Sequence, residues 1–304
     1  LTTALATLGL QKERPPAGEA FLTAANGFLG TLSDEEKKLA VMDYDNAERV
    51  AWHFIPKDSR KGLVVKDMSP KQRKAASQIL RSGLSFLGYK KFTNIMKLEG
   101  VLHELEKASP GRFPRDTELY YYTLFGSPSK DGKWGVSIEG HHMSLNFVIE
   151  NNEVVSSTPQ VMCSNPTIVP ADLAGFEKGA RVLDNEETLG FDLVNSLSDE
   201  QKKIAIIAET APKEVRNAGQ AQPPQTPAEG ILMRELEEEQ KKMLRQLIMT
   251  YTRSMAPDIA ANRLADIKEA GWGKVKFCWA GASKPGVGHY YRVQGPTFLI
   301  EFVN

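Results

Sequence analysis

The strongest constraint on this 304-residue chain is that it carries one pattern twice. LSDEEKKLA at Leu32–Ala40 returns as LSDEQKKIA at Leu197–Ala205, with seven of nine letters identical. GLVVKDMSPKQRK from Gly62 corresponds to GILMRELEEEQKK from Gly230, and WGVSIEGHHMSLNFVI from Trp134 to HYYRVQGPTFLIEFVN from His289. The offsets are 165, 168 and 155 residues, so short loop insertions and deletions separate the blocks. One capping sequence can converge on another because helix ends favour the same letters. Three blocks in unchanged order, the last of them β, point instead to copying. The expected class is α+β with an internal tandem duplication, each half being helices followed by antiparallel β-strands, and the halves related by a pseudo-two-fold. The boundaries that follow are an N-terminal arm over 1–27, a first α+β repeat over 28–150, a connector over 151–192 and a second α+β repeat over 193–304, with the halves packed as one globular unit.

Local signals agree with this division. Ser33 with Glu36, Ser198 with Gln201 and Ser69 with Gln72 read as capping boxes, in which a side-chain oxygen and a glutamate or glutamine satisfy free backbone amides at a helix start. Glu237 takes the place of Ser69 before Gln240, and apolar residues at helical spacing predict a helix from Met233 to Met255. In Trp134–Glu139 the even positions are apolar, whereas in Met143–Ile149 the odd ones are. The second copy makes the same switch around Gly295, which predicts a β-element with a glycine bend in each half. Further strands are expected at Leu119–Phe125, Val154–Met162 and Lys274–Ala280, and a polar, proline-rich loop over 217–227.

Thirty-eight basic and thirty-eight acidic residues leave no net charge, which argues against a nucleic-acid partner. No apolar run approaches the roughly 18 residues of a membrane span. The two cysteines, Cys163 and Cys278, fit either free thiols or one disulfide. The start at Leu1 fits an exported chain whose signal has been removed, and equally one trimmed at its ends; a secreted or extracytoplasmic location is the expectation.

Only five histidines are present. His141 and His142 adjoin the bend at Gly140, and strand parity puts His142 on the side of Ser144 and Asn146. Imidazole nitrogens and a carboxylate suit zinc or another transition ion, so His141, His142, His289 and Glu139 are the candidate metal ligands. Asn146, Arg292, Gln294 and Glu301 are candidate contacts for a small-molecule ligand. Hydrogen-bonded structural histidines at a strand bend are the competing reading. Ser144 lacks the G-x-S-x-G of a nucleophile elbow, and KPGVGH at Lys284 lacks the ending of a phosphate-binding loop. No catalytic residue and no organic cofactor can be assigned.

The segments WGVSIEGHHMSLNF, SNPTIV at Ser164 and HYYRVQGPTFLIEFVN resemble the bacterial domain-of-unknown-function family catalogued as thirty-five hundred, over most of the chain. The matching positions are Glu139, Gly140, His141, His142, Ser144, Leu145 and Asn146, then His289, Tyr290, Tyr291, Arg292, Gln294, Gly295 and Pro296. The resemblance carries no established reaction. It implies an exported protein, and further histidine ligands from a segment beyond the position of Asn304. Two functions are expected: metal or small-ligand binding at a histidine-lined cleft, with metal-assisted hydrolysis or oxidation, and, as the alternative, a non-catalytic self-assembling or binding protein that forms an extracellular homo-oligomer.

Overall fold

The computed structural model describes residues 14–222 and 226–304. Residues 1–13 of the expected arm, and 223–225 within the expected loop over 217–227, lie outside the described residues. The rest of that arm is corrected: α1 (Ala17–Leu29) is a core helix, with Ala17, Phe21, Ala25 and Phe28 fully buried at helical spacing. Half of these positions are alanine and no side chain caps the helix start, so its sequence carries little local mark of a core helix.

The first run continues with α2 (Asp34–Ala40), β1 (Val41–Met42), β2 (Leu63–Val64), α3 (Pro70–Gly83), α4 (Phe86–Glu106), β3 (Tyr120–Phe125), β4 (Lys133–Gly140) and β5 (Met143–Glu150). The strand expected over 154–162 is two strands, β6 (Glu153–Ser156) and β7 (Gln160–Met162), both paired with β5. The second run is α5 (Asp184–Ser196), α6 (Asp199–Ala205), β8 (Ile206–Ala208), β9 (Ile231–Leu232), α7 (Glu238–Thr252), α8 (Pro257–Ala270), β10 (Lys276–Gly281), β11 (His289–Gly295) and β12 (Phe298–Val303). The expected connector over 151–192 therefore holds two strands and the start of α5. The helix expected from Met233 starts only at Glu238, because Glu237 is extended and caps it.

The architecture is α+β. One sheet follows the path β1-β3-β4-β5-β6 and the other β8-β10-β11-β12, with β2 and β9 placed beside β3 and β10. In both sheets a short strand lies parallel to the first strand of an antiparallel meander, and a second short strand antiparallel to it. Val41 faces Leu124 as Ile206 faces Trp279, and Leu63 faces Tyr122 as Ile231 faces Phe277. Gly62 and Gly230 precede these pairs with φ of +98° and +92°. A Cβ would lie 2.6 Å from the Tyr122 carbonyl oxygen at Gly62 and 2.1 Å from that of Phe277 at Gly230, so no side chain fits either place.

The expected glycine bends are chain reversals. Gly140 pairs with Met143 and Gly295 with Phe298 across two-residue turns. In such a hairpin even positions of one strand share a face with odd positions of the next, which is the parity change read from the sequence. One face of each sheet is apolar and packs on helices: Phe21, Ile79, Phe92 and Ile95 against Val136, Ile138, Leu145 and Phe147 in the first, and Phe191, Leu244 and Ile248 against Phe277, Trp279, Tyr291 and Val293 in the second.

A buried glutamine ties the helices together in each half. Gln72 accepts from the Ser69 amide at 2.7 Å and donates to the Thr31 carbonyl at 3.2 Å and to Glu36 at 2.9 Å. Gln240 accepts from the Glu237 amide at 2.9 Å and donates to the Ser196 carbonyl at 2.8 Å and to Gln201 at 2.9 Å. The two helical layers meet at their inter-helix junctions, where Leu84 bridges Met255, the Ser85 amide donates to the Ser254 carbonyl at 3.1 Å and the Ala256 amide to the Gly83 carbonyl at 2.9 Å. Among the described residues, no helix is long and apolar enough to cross a membrane.

Gln72→Met and Gln240→Met keep the volume and remove the bonds, leaving buried backbone groups unpaired. Each is expected to lower stability by about 1–3 kcal/mol in urea unfolding; a change below about 0.5 kcal/mol would show that the network is dispensable.

Candidate functional site

The site begins on α4. Phe92, Ile95, Glu99 and Leu102 lie along one buried stripe of this helix, and Glu99 is only 3% exposed. A carboxylate in an apolar stripe requires a partner. The partner is His141, in the β4–β5 turn, whose Nδ1 lies 2.5 Å from Glu99 Oε1. The turn is held from three sides: the His142 amide donates to the Phe54 carbonyl at 2.7 Å, the Cys163 amide to the His142 carbonyl at 2.9 Å, and Tyr120 Oη to the His141 carbonyl at 3.0 Å. A Cβ at Gly140 would meet the Tyr120 ring at 2.4 Å, so the glycine is what lets this ring close over the turn.

His142 adopts φ of +63°, and its ring lies 3.7 Å, centroid to centroid, from that of His141. One ligand atom from each of Glu99, His141 and His142 falls within 4.8 Å of the others. Burial, then the neighbouring His141 and Arg115, push the His142 imidazole down to about 3, so it is neutral with a free lone pair at ordinary pH. Arg115 stands 3.4 Å from His141 Nδ1 and makes a two-pronged ion pair with Glu106, at 2.8 and 3.0 Å. That pair holds the Glu106 carboxyl below its ordinary range and neutralises a cation that would otherwise repel a metal. Arg115 and Glu106 also line an open groove of about 890 Å³ that reaches Gly100, next to Glu99.

The other residues singled out in the sequence lie elsewhere. Glu139 is on the opposite face of β4 from Ile138 and pairs with Lys61 at 3.0 Å and Arg60 at 4.0 Å, all three side chains being almost wholly buried. Ser144 donates to Glu139 at 3.3 Å, and Asn146 donates to Ser144 at 3.0 Å and to the Pro159 carbonyl at 3.1 Å. Glu139 is thus the acceptor of a buried polar network, and Glu99 is the carboxylate beside the histidines. His289 does not join them. It begins β11, six residues or about 20 Å of strand from the turn at Gly295, and is fully buried among Phe191, Trp279 and Phe302. Its Nε2 lies 3.3 Å from Glu187 Oε1 and its Nδ1 2.9 Å from the Val287 carbonyl oxygen. Arg292 and Glu301 line a separate cavity of about 400 Å³ on the second sheet, and Gln294 contacts Arg292 there. Cys163 and Cys278 are free thiols.

Two outcomes are expected from these environments. Glu139→Gln leaves two buried cations without a counter-charge and should cost about 3–5 kcal/mol in urea unfolding; a neutral result would mean that Arg60 and Lys61 are solvated. In chelator-treated protein the unfolded chain takes up a proton at position 142 below about 6.5, and the folded chain does so only near 3. Stability should therefore fall as pH drops through that window. The fall should be shallower in His142→Asn, because asparagine accepts the positive φ and does not titrate; equal slopes would remove His142 as the cause.

No curated protein and no solved structure matches the chain. A family model described as "Protein of unknown function (DUF3500)" matches residues 16–304. That match takes in both sheets, the paired histidines and the buried Glu99, and the chain belongs to this family.

Proposed function

We propose that the protein binds a divalent transition ion of the zinc type through Glu99, His141 and His142, and uses it to activate water for hydrolysis of a substrate held in the adjoining groove. The observation that carries this reading is the convergence of two imidazoles and one carboxylate within 4.8 Å. Donor atoms bonded to zinc at about 2.0–2.1 Å in tetrahedral array stand roughly 3.3 Å apart, so Glu99 and His141, at 2.5 Å, would separate and any pair near the 4.8 Å limit would close up. Three protein ligands leave a fourth position for water. Ligation needs an ionised carboxylate and imidazoles with a free lone pair, so binding weakens as pH falls.

We further infer that the halves arose by tandem duplication and are related by a pseudo-two-fold. The support is agreement in geometry as well as in letters: equivalent strand pairs, the same positive φ at the matched glycines 62 and 230, and the same bonding pattern at the matched glutamines 72 and 240. On this reading the repeats begin with α1 and α5, not after them.

The purified full chain, incubated with zinc and desalted, should retain about one ion per molecule by elemental analysis. His142→Ala and Glu99→Ala should each reduce retention at least tenfold, while Glu139→Gln should keep it in whatever fraction folds. A wild-type chain that retains no zinc, cobalt or manganese would sink the proposal.

A further inference from the structure

The second sheet carries an unassigned cavity on its polar face. Arg292 on β11 and Glu301 on β12 are direct cross-strand partners, a placement in which opposite charges ordinarily meet. Here they do not form an ion pair, because other groups hold each of them. The Arg292 Nη2 donates to Gln294 and, at 3.4 Å, to Thr226 Oγ1, and its Nη1 stands 3.7 Å from Glu229. Glu301 accepts from Tyr290 Oη at 2.6 Å and from the Arg216 amide at 3.3 Å. Both line the cavity of about 400 Å³, together with Arg216, Asn217, Thr226 and Leu299.

Arg292 is 4% exposed; its Nε–H is enclosed without an acceptor among the described residues, and its Nη1, 3.7 Å from Glu229, makes no hydrogen bond there. A buried guanidinium with unused donors is costly, and the group that best satisfies the remaining Nη1 hydrogens is a carboxylate oxygen, in a charge-assisted hydrogen bond. A carboxylate alone, however, would sit close to Glu301. That residue has lone pairs beyond those used by Tyr290 and Arg216, and it favours a cationic N–H donor. The charged side chains around the cavity, Arg216, Glu229, Arg292 and Glu301, sum to zero, and Arg216 and Glu229 neutralise each other at 2.5 Å. An occupant with no net charge and two charged ends therefore fits better than an anion. Leu299 supplies an apolar wall for a short side chain.

We infer that this cavity is a binding site for a small zwitterion of the α-amino-acid class, with the carboxylate on Arg292 and the ammonium on Glu301. The site is separate from the histidine cluster, lies on the other sheet, and does not rest on the metal proposal. The corresponding place in the first sheet could not hold such a ligand, because Ser137 and Asn146 stand where the second sheet has Arg292 and Glu301.

The test is calorimetric titration and thermal unfolding of the full, chelator-treated chain with each of the twenty standard amino acids, using acetate and ethylammonium as single-charge controls. At least one amino acid should bind saturably with a single site and raise the melting temperature, with both controls at least tenfold weaker. Arg292→Gln should abolish that binding and Glu301→Gln should weaken it at least tenfold, whereas His142→Ala should leave it unchanged. Should Arg292→Gln not fold, Glu301→Gln and the exposed Thr226→Val carry the comparison. Absence of binding by every amino acid, acetate binding equal to the best amino acid, or binding unaffected by Glu301→Gln and Thr226→Val would each overturn the assignment.

Discussion

Strands buried on both faces leave polar side chains no solvent to turn toward. In β4 every residue from Trp134 to Gly140 is buried, and in β11 so is every residue from His289 to Val293. The apolar face of each meander rests on helices; the other face, bearing Glu139, Ser144 and Asn146 in one sheet and Tyr290, Arg292 and Glu301 in the other, lies under loops. Burial of these groups is tolerable only when each finds a partner. Glu139 finds partners in Lys61 and Arg60, although Ser137 Oγ and Asn146 Oδ1 on the same face have none among the described residues. At Arg292 partnering is incomplete as well, and there a cavity adjoins the guanidinium.

The frame of the molecule was readable because helix ends and hairpins leave short, local marks. The boxes at Ser33, Ser69 and Ser198 each start a helix where the letters placed it, and parity located both hairpins to the residue. A parity change records only that a face is exchanged, and a reversal does this as well as a kink, so parity alone does not separate a turn from a bend. The starts of α1 and α5 leave no such mark, because Pro16 and Leu183 precede them without a side-chain cap.

The site was legible in part. His141 and His142 stand out as a pair, but the carboxylate that the letters offer beside them, Glu139, is two residues away along the strand. Alternation sends Glu139 to the loop-covered face, while the partner comes from a helix forty-two positions earlier. One mark of it was present in the sequence: a glutamate between Ile95 and Leu102 at core-facing spacing in α4. His289 looked like a fellow ligand because it opens a matching block, yet it aligns with Trp134 and occupies the corresponding position at the far end of the hairpin. The cavity residues Arg292, Gln294 and Glu301 were recognisable as polar letters on the loop-covered face of β11 and β12.

The junction where Leu84 meets Met255 has a bearing on how such a molecule could have diverged. Its two hydrogen bonds run reciprocally, from Ser85 at the start of α4 to Ser254 and from Ala256 at the start of α8 to Gly83. If the halves are copies, an ancestral module would have met its twin through this self-complementary contact, at a rate set by concentration. Joining the genes makes the encounter intramolecular and permanent. Selection is then free to treat the hairpin tips independently, keeping two imidazoles at 141 and 142 while proline and threonine stand at 296 and 297, a division of labour that a symmetric pair of identical subunits cannot achieve.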